Sequence, residues 1–185
     1  MISGSEQTMT DVQLFPPHAE ALTAMAGIPG IEIAPTIFVR QPGPEGHRGP
    51  EAAGAVLMLQ ATFSNPDGAR AFWDAAVDLM ALLEHAPGFI RRYSFPDGPS
   101  ITLIALWRTI EDAKAYASTP EHRAAVRELY RHRWQNSHYS ALFELQSSHG
   151  RVIFCDACDG VTPAEERVCK KCDAPLNDIF AAGVH

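Results

Sequence analysis

The sequence has no long apolar run and no leader-like opening. No stretch reaches the roughly 20 consecutive apolar residues that a helix needs to cross a bilayer. The opening segment MISGSEQTMTDVQLF has no basic region followed by an apolar one, which argues against a secretory signal peptide. We therefore expect a cytoplasmic protein without a membrane partner.

Basic residues are also few. The 185 residues include 15 Lys and Arg against 22 Asp and Glu, which gives a formal net charge of -7. A protein that binds nucleic acid through its phosphates needs clustered Lys and Arg to displace counterions, so we expect no nucleic-acid partner. Helical spacing distributes the basic cluster around a helix, which favours a solvated helix face: Arg123, Arg127, Arg131 and Arg133.

Cysteine is confined to the end of the chain. The four cysteines form two C-x-x-C pairs between Cys155 and Cys172. In a reducing compartment this pattern favours a metal site over disulfides or a redox switch. Four thiolates suit the tetrahedral preference of zinc, which predicts one structural zinc ion on Cys155, Cys158, Cys169 and Cys172. The alternative is an iron site of the rubredoxin type, although those sites favour Pro and Gly around the cysteines and a longer separation.

The segment from Phe154 to Leu176 resembles the short zinc-ribbon module found at the ends of many bacterial proteins. In that module a glycine usually follows each second cysteine, whereas Asp159 and Asp173 stand there in this sequence. A core this small depends on its metal for folding. The resemblance leaves three roles open: docking on a partner subunit, covering a pocket mouth, or recruiting another protein.

Composition divides the chain into three parts. Residues 1–52 are rich in Pro and Gly and are predicted to be an N-terminal extension and linker, with one short strand at Ile31–Arg40 that Pro35 would confine to a sheet edge. Residues 53–148 are predicted to form the main domain, and residues 149–185 the cysteine tail.

The middle of the chain alternates predicted strands with predicted helices. Apolar periodicity and turn residues give the following elements: a strand from Ala55, a helix that Asn65 to Gly68 starts and Pro87–Gly88 stops, strands at Phe89–Phe95 and Ile101–Trp107, helices at Ile110–Ala117 and from Thr119 to about Gln135, and a strand at Ser137–Leu145. The order is that of the ferredoxin-like split pattern, which is an α+β fold.

Two of the predicted strands are apolar on both faces. AVLMLQATF and ITLIALW scarcely alternate between apolar and polar residues, whereas a strand with one wet face should alternate. The helices would cover one face of the sheet. We predict that a second copy of the same sheet covers the other, so that the protein is a homodimer.

The segment from Ala55 to Leu145 resembles the antibiotic biosynthesis monooxygenase family. The resemblance is carried by Pro87-Gly88-Phe89, by the strand end Ile104–Trp107 and by the segment Trp107–Val126. It implies a dimeric α/β barrel built from the ferredoxin-like pattern. The family includes cofactor-free quinol oxygenases, haem-degrading enzymes, haem-dependent dehydratases and members without a known reaction, and a fold alone does not fix the reaction.

For the oxygenase members, the resemblance implies an aromatic substrate held between helices and sheet, without flavin or haem. Such chemistry needs a group that takes the phenolic proton and groups that stabilise the anion. The catalytic candidates are His132, His138, Trp134, Tyr139 and Trp73. Four of them lie near the junction of the second long helix and the last strand, where a polar turn with incidental histidines is an equal alternative.

Four further residues have structural interpretations. Trp107 and Tyr93 are predicted to be core or interface aromatics. His85 is predicted to lie at a helix C-terminus, where the dipole favours a cation, and His122 at a helix start as a surface or capping residue.

Two other functions stay open. A haem-binding enzyme of the same fold is one, although the position that carries the axial histidine in haem-degrading relatives is occupied by Ala125, with His122 one turn away. A non-catalytic dimer whose ribbon binds a partner protein is the other.

Overall fold

Five strands form one antiparallel sheet in the computed structural model, which describes residues 39–178. They are β1 (Val39–Pro42), β2 (Ala55–Phe63), β3 (Phe89–Asp97), β4 (Ser100–Trp107) and β5 (Gln135–Glu144). Their order across the sheet is β1-β3-β4-β2-β5. Without β1, this is the ferredoxin-like arrangement that the sequence predicted, and the α+β fold is confirmed.

Three helices connect the strands, and each begins with a side-chain cap. They are α1 (Pro66–Leu83), α2 (Ile110–Ala117) and α3 (Pro120–His132). The side chains of Asn65, Thr109 and Thr119 accept hydrogen bonds from backbone N–H groups of the first turns at 2.8, 3.0 and 3.3 Å. Helix α3 ends earlier than predicted, because Arg133 adopts a left-handed conformation with φ 49. That residue turns the chain into β5.

The two faces of the sheet differ in what covers them. Leu57 pairs with Ala105, and both face the helices, where Phe89 and Trp107 form the best-buried part of the core. The neighbouring positions alternate to the opposite face, and the side chains there are half-buried or exposed. Phe143 is 48% exposed and Tyr139 50%, so the apolar outer face that the sequence predicted lacks a cover within the described residues.

The Pro- and Gly-rich segment before β2 packs against the edge of the sheet. Strand β1 pairs with β3, and 3-10 turns follow at Gly46–Arg48 and Pro50–Ala52. The guanidinium of Arg91 donates a hydrogen bond to the Gly46 carbonyl at 3.2 Å. The strand predicted at Ile31–Arg40 lies largely outside the described residues, which begin with Val39.

A two-stranded hairpin forms the start of the cysteine tail. Strands β6 (Val152–Phe154) and β7 (Val161–Pro163) pair in antiparallel register. Just before β6, the Arg151 guanidinium contacts Glu51 Oε1 at 2.9 Å and Asp178 Oδ1 at 2.7 Å. Through Arg151, this double ion pair joins Asp178 and the start of the tail to the segment that precedes β2. Among the described residues, no helix is long and apolar enough to cross a membrane.

Candidate active site and metal centre

A cavity of about 530 Å³ lies between the three helices and the sheet. Its walls are mostly apolar, with Leu57 and Leu103 from the sheet, Phe72 from α1 and Val126 from α3. The volume falls in the range of about 300–1,000 Å³ that is usual for sites that bind small molecules. Half-buried apolar residues of the helices therefore enclose a space instead of packing it shut.

Arg92 is the most deeply buried cation that lines this cavity. It is 5% exposed, and it stands on β3 opposite Ala105, on the helix side of the sheet. Its Nη2 donates to the sulfur of Met80, while its Nε has no hydrogen-bond partner within the described part of the chain. Burial lowers the pKa of the guanidinium, and the nearby phenol of Tyr116 opposes that shift.

Tyr116 projects from α2 to the same cavity. Its hydroxyl donates a hydrogen bond to the Leu79 carbonyl at 3.0 Å, and its ring packs on Trp107 with centroids 5.4 Å apart. Burial raises the pKa of the phenol to about 12, although the charge of Arg92 lowers it. Tyr116 is therefore a neutral hydrogen-bonding group at physiological pH.

Trp107 presents an unused donor at the cavity wall. The residue is 2% exposed, and its indole Nε1 has no partner among the residues described. Buried N–H groups are nearly always bonded, so this atom is ready for a ligand or a water. The interpretation of Trp107 as a core aromatic holds, but the residue also lines the cavity.

Two histidines line the cavity. His122 is half-buried on α3, with its ring edge-on to Tyr116 at 5.3 Å. His138 stands on β5, where its Nδ1 is 2.9 Å from Gln135 Oε1. Burial lowers the pKa of both imidazoles, and for His122 a backbone hydrogen bond at Ala117 opposes the shift. Both are therefore mainly neutral at pH 7, as a proton acceptor must be.

The catalytic candidates from the sequence fall in different places. His138 and Trp134 line the cavity. His132 is exposed, its Nε2 lies 3.1 Å from Glu128 Oε2, and its ring stacks on Trp134. Tyr139 follows His138 on β5 and so faces the opposite side of the sheet. Trp73 packs against Phe72 and the second cluster of the core.

Sequence reasoning gave no role to two residues of this cavity, Arg92 and Tyr116, and a surface role to a third, His122. A signal existed for Tyr116, because Ala113, Tyr116 and Ala117 follow helical spacing on one face of α2. Arg92 offered no such signal, since it stands beside Arg91 in a strand and the sequence alone does not show which of them is turned to the helices.

The four cysteines converge in the tail. Sγ of Cys155 lies 3.7 Å from Sγ of Cys172, and Sγ of Cys158 lies 3.7 Å from Sγ of Cys169. All four sulfurs lie within 4.8 Å of one another. A tetrahedron with metal–sulfur bonds of about 2.3 Å has edges of about 3.8 Å. The donor set therefore fits a tetrahedral metal ion, and the separations are too long for disulfide bonds.

Backbone amides support the sulfurs. Gly160 N–H donates to Cys158 Sγ at 3.2 Å, and Lys171 N–H donates to Cys169 Sγ at 3.4 Å. The Lys171 amide is the main cause that lowers the pKa of the Cys169 thiol to about 6. A Cβ on Gly160 would lie 2.7 Å from Cys169 Sγ, so the backbone approaches the sulfurs where only glycine fits.

The missing glycines after the second cysteines have a structural explanation. Asp173 adopts the left-handed conformation with φ 57, which Asp tolerates better than most residues. Asp159 instead keeps a negative φ, and its carboxylate forms an ion pair with Lys171. The knuckle geometry is thus kept with aspartates in place of glycines.

Comparison with known proteins agrees with the fold. Residues 56–128 match the family model described as antibiotic biosynthesis monooxygenase, whereas a search of curated proteins gave no match. A Listeria monocytogenes protein with a ferredoxin fold, described as related to antibiotic biosynthesis monooxygenases, is 10% identical, with a TM-score of 0.48 and coverage of 64% of this chain and 69% of that one.

Two further solved structures are similar. SnoaB, a cofactor-independent oxygenase from Streptomyces nogalater, is 16% identical with a TM-score of 0.43 and coverage of 52% of this chain and 97% of that one. A Lactobacillus acidophilus protein is 14% identical with a TM-score of 0.44 and 57% of this chain covered, and the match spans 47% of that protein. Residues 56–128 are therefore similar to the antibiotic biosynthesis monooxygenase family, and the sheet order is that of a ferredoxin-like domain.

Proposed function

We propose that the domain is an oxygenase that acts on an aromatic phenol or hydroquinone in the cavity between helices and sheet, without flavin or haem. The observation that carries this proposal is an apolar cavity with a neutral histidine and an unused indole N–H at its wall. In the reaction the substrate supplies the electrons. One atom of dioxygen enters the product, and the other leaves as water.

His138 is the group that we assign to proton transfer. Gln135 Oε1 is an acceptor, so the facing Nδ1 of His138 carries the hydrogen and donates it. Nε2 then keeps its lone pair and can take the phenolic proton. The phenolate that results is the species that donates an electron to dioxygen. Trp107 Nε1 is a donor for an oxygen of the substrate, and Trp134 supplies aromatic surface.

His132, Tyr139 and Trp73 are not used in this proposal, because none of them lines the cavity. The test is oxygen consumption with a panel of naphthalene and anthracene hydroquinones, measured with a wild-type sample and a His138→Gln variant. Substrate-dependent uptake that the variant loses supports the proposal. Lack of uptake with any compound of the panel would count against it.

The two alternative functions have weaker support. A non-catalytic dimer predicts a cavity filled by its own side chains, whereas this one is open. A haem enzyme needs an axial ligand on α3, where Ala125 presents a methyl group to the cavity and the His122 ring packs against Tyr116. We expect no Soret band after haem is added, and a sharp one would favour the haem alternative.

The cysteine tail, in the same proposal, holds one structural zinc ion. Four thiolates leave no open coordination position, and zinc prefers such closed tetrahedral sites. We also propose that two copies of the domain pair through the outer face of the sheet, with Met58, Ile104 and Phe143 in the contact. Their apolar side chains would then leave water, which stabilises a dimer.

A further inference from the structure

The cavity contains a buried positive charge that has no carboxylate partner among residues 39–178. Arg92 lies on β3 between Gln41 of β1 and Ala105 of β4, with its side chain on the helix side of the sheet. Besides the indoles of Trp107 and Trp134, the polar or charged side chains that line the cavity with it are those of Lys114, Tyr116, His122, Tyr130, His138 and Ser140. No Asp or Glu is among the described residues that line it.

The contacts of the guanidinium leave its charge unbalanced. Its Nη2 donates to the thioether of Met80, which is a weak acceptor, and its Nε has no partner among the described residues. Arg151, another partly buried arginine of this chain, contacts the carboxylates of both Glu51 and Asp178. Arg92, in contrast, contacts no carboxylate of the described residues.

A buried cation is costly unless an anion accompanies it. Hydrogen bonds between an arginine and a carboxylate or phenolate are stronger than those between neutral groups. In an apolar cavity the attraction is also less screened than in water. A ligand that brings its own negative oxygen would offset the cost that Arg92 imposes on the empty site.

We propose that Arg92 is the counter-ion of the ligand, so that the cavity takes a flat aromatic molecule with one anionic oxygen group, a carboxylate or an ionised phenol. This inference rests on the proposed function only in taking this cavity as the substrate site. It adds a specificity-determining residue and a charge to the substrate class. Lys114, the other cation of the lining, is exposed and its charge is solvated.

The test is a calorimetric comparison of two probes of equal shape, naphthoate and its neutral amide naphthamide. We expect the wild-type protein to bind naphthoate between about tenfold and about a hundredfold more tightly than naphthamide, as for hydrogen bonds to charged groups. Arg92→Met should remove this preference, because methionine keeps most of the volume without the charge. Arg92→Lys should keep part of it.

A matched control is Arg127→Met, which removes an exposed cation of α3 that does not line the cavity and should leave the preference unchanged. Thermal unfolding of each variant shows whether it is folded. If Arg92→Met does not fold, the ratio of naphthoate to naphthamide affinity in the wild type and in Arg92→Lys still tests the inference. Equal affinity for the two probes, a preference that survives Arg92→Met, or lack of binding of both naphthoate and ionised naphthol would overturn the inference.

Titration with naphthol distinguishes the two anion sources. If the site selects a phenolate, the affinity for naphthol rises with pH as the naphthol ionises. If it selects a carboxylate, naphthol binds weakly at every pH while naphthoate binds tightly. Because these are binding measurements without turnover, failure of the oxygenase assay leaves them unaffected. An active oxygenase without the anion preference would refute the inference alone.

Discussion

At the residue scale, the histidines of this chain divide according to their surroundings. Both His138 and His132 are exposed residues, but His138 lines the cavity, whereas His132 lies outside it and contacts Glu128. Burial lowers the pKa of His138, so its neutral form is present at neutral pH and is lost as the pH falls through the lowered value. His138 is thus suited to accept a proton near pH 7.

We expect His138→Gln to lower kcat with a hydroquinone substrate by roughly 10²- to 10⁴-fold, the usual contribution of general acid–base catalysis. The wild-type pH profile of kcat/KM should fall on its acidic side with a midpoint below the ordinary histidine value of 6.5. His132→Gln is the matched comparison and should keep the wild-type rate. A larger loss of kcat in His132→Gln than in His138→Gln would instead identify His132 as the general base.

At Gly160, the addition of a single Cβ atom would disturb the metal site. A Cβ there would lie 2.7 Å from Cys169 Sγ and 3.1 Å from Cys158 Sγ. We therefore expect Gly160→Ala to release zinc at a lower chelator concentration than the wild type, measured by metal analysis after dialysis against a chelator. Asp159→Ala, at the exposed neighbouring position, should retain the metal. Equal retention in both variants would contradict the close approach.

At the scale of single elements, capping residues set the helix boundaries. Asn65 accepts the Gly68 N–H at 2.8 Å, and Pro66 occupies the first helical position, where its missing N–H costs nothing. We expect Asn65→Ala to lower the free energy of unfolding by about 1 kcal/mol, measured by urea denaturation. Asn65→Asp keeps the acceptor and should be close to the wild type. A larger loss in the aspartate variant would show that the cap is not the cause.

The type of each element was largely predictable, because the spacing of apolar residues and the positions of turn and capping residues agree along residues 55–145. The strands at β2 and β4 and the capped start of α3 lie where the sequence indicated, whereas α1 ends at Leu83, before the predicted stop at Pro87–Gly88. The end of α3 was predicted too late in the chain. Arg133 adopts a left-handed conformation there, and the sequence lacks the glycine that usually marks such a helix end. An arginine in that conformation follows from the tertiary connection to β5.

At the scale of the whole molecule, the outer face of the sheet is an apolar surface that the described residues leave without a cover. We expect the wild-type protein to be a dimer in solution and Phe143→Glu to shift it to a monomer, measured by light scattering after size exclusion. A charge in that contact would lose its hydration without a partner. Phe154→Glu, on the exposed hairpin of the tail, should leave the dimer intact. A monomeric wild type would refute the proposed pairing.

The sequence by itself determined the order of elements and the metal-binding pattern. Both depend on residues close together in the chain: apolar spacing, caps and turns for the ferredoxin-like domain, and two C-x-x-C pairs for the tail. Signals of this kind can be read from neighbouring residues, without knowledge of contacts between distant parts of the chain. The resemblance carried by Trp107–Val126 likewise pointed to the family whose model matches residues 56–128.

Only the tertiary structure decided which side chains share the cavity. Arg92, Tyr116 and His138 come from β3, α2 and β5, and the sheet register and helix packing bring them to one space. Alternation along β5 separates His138 from Tyr139, although they are adjacent in sequence. Whether a polar residue meets water, a partner or a cavity depends on long-range packing. For that reason the sequence could not predict that Arg92 is buried without a carboxylate partner among the residues that the structure describes.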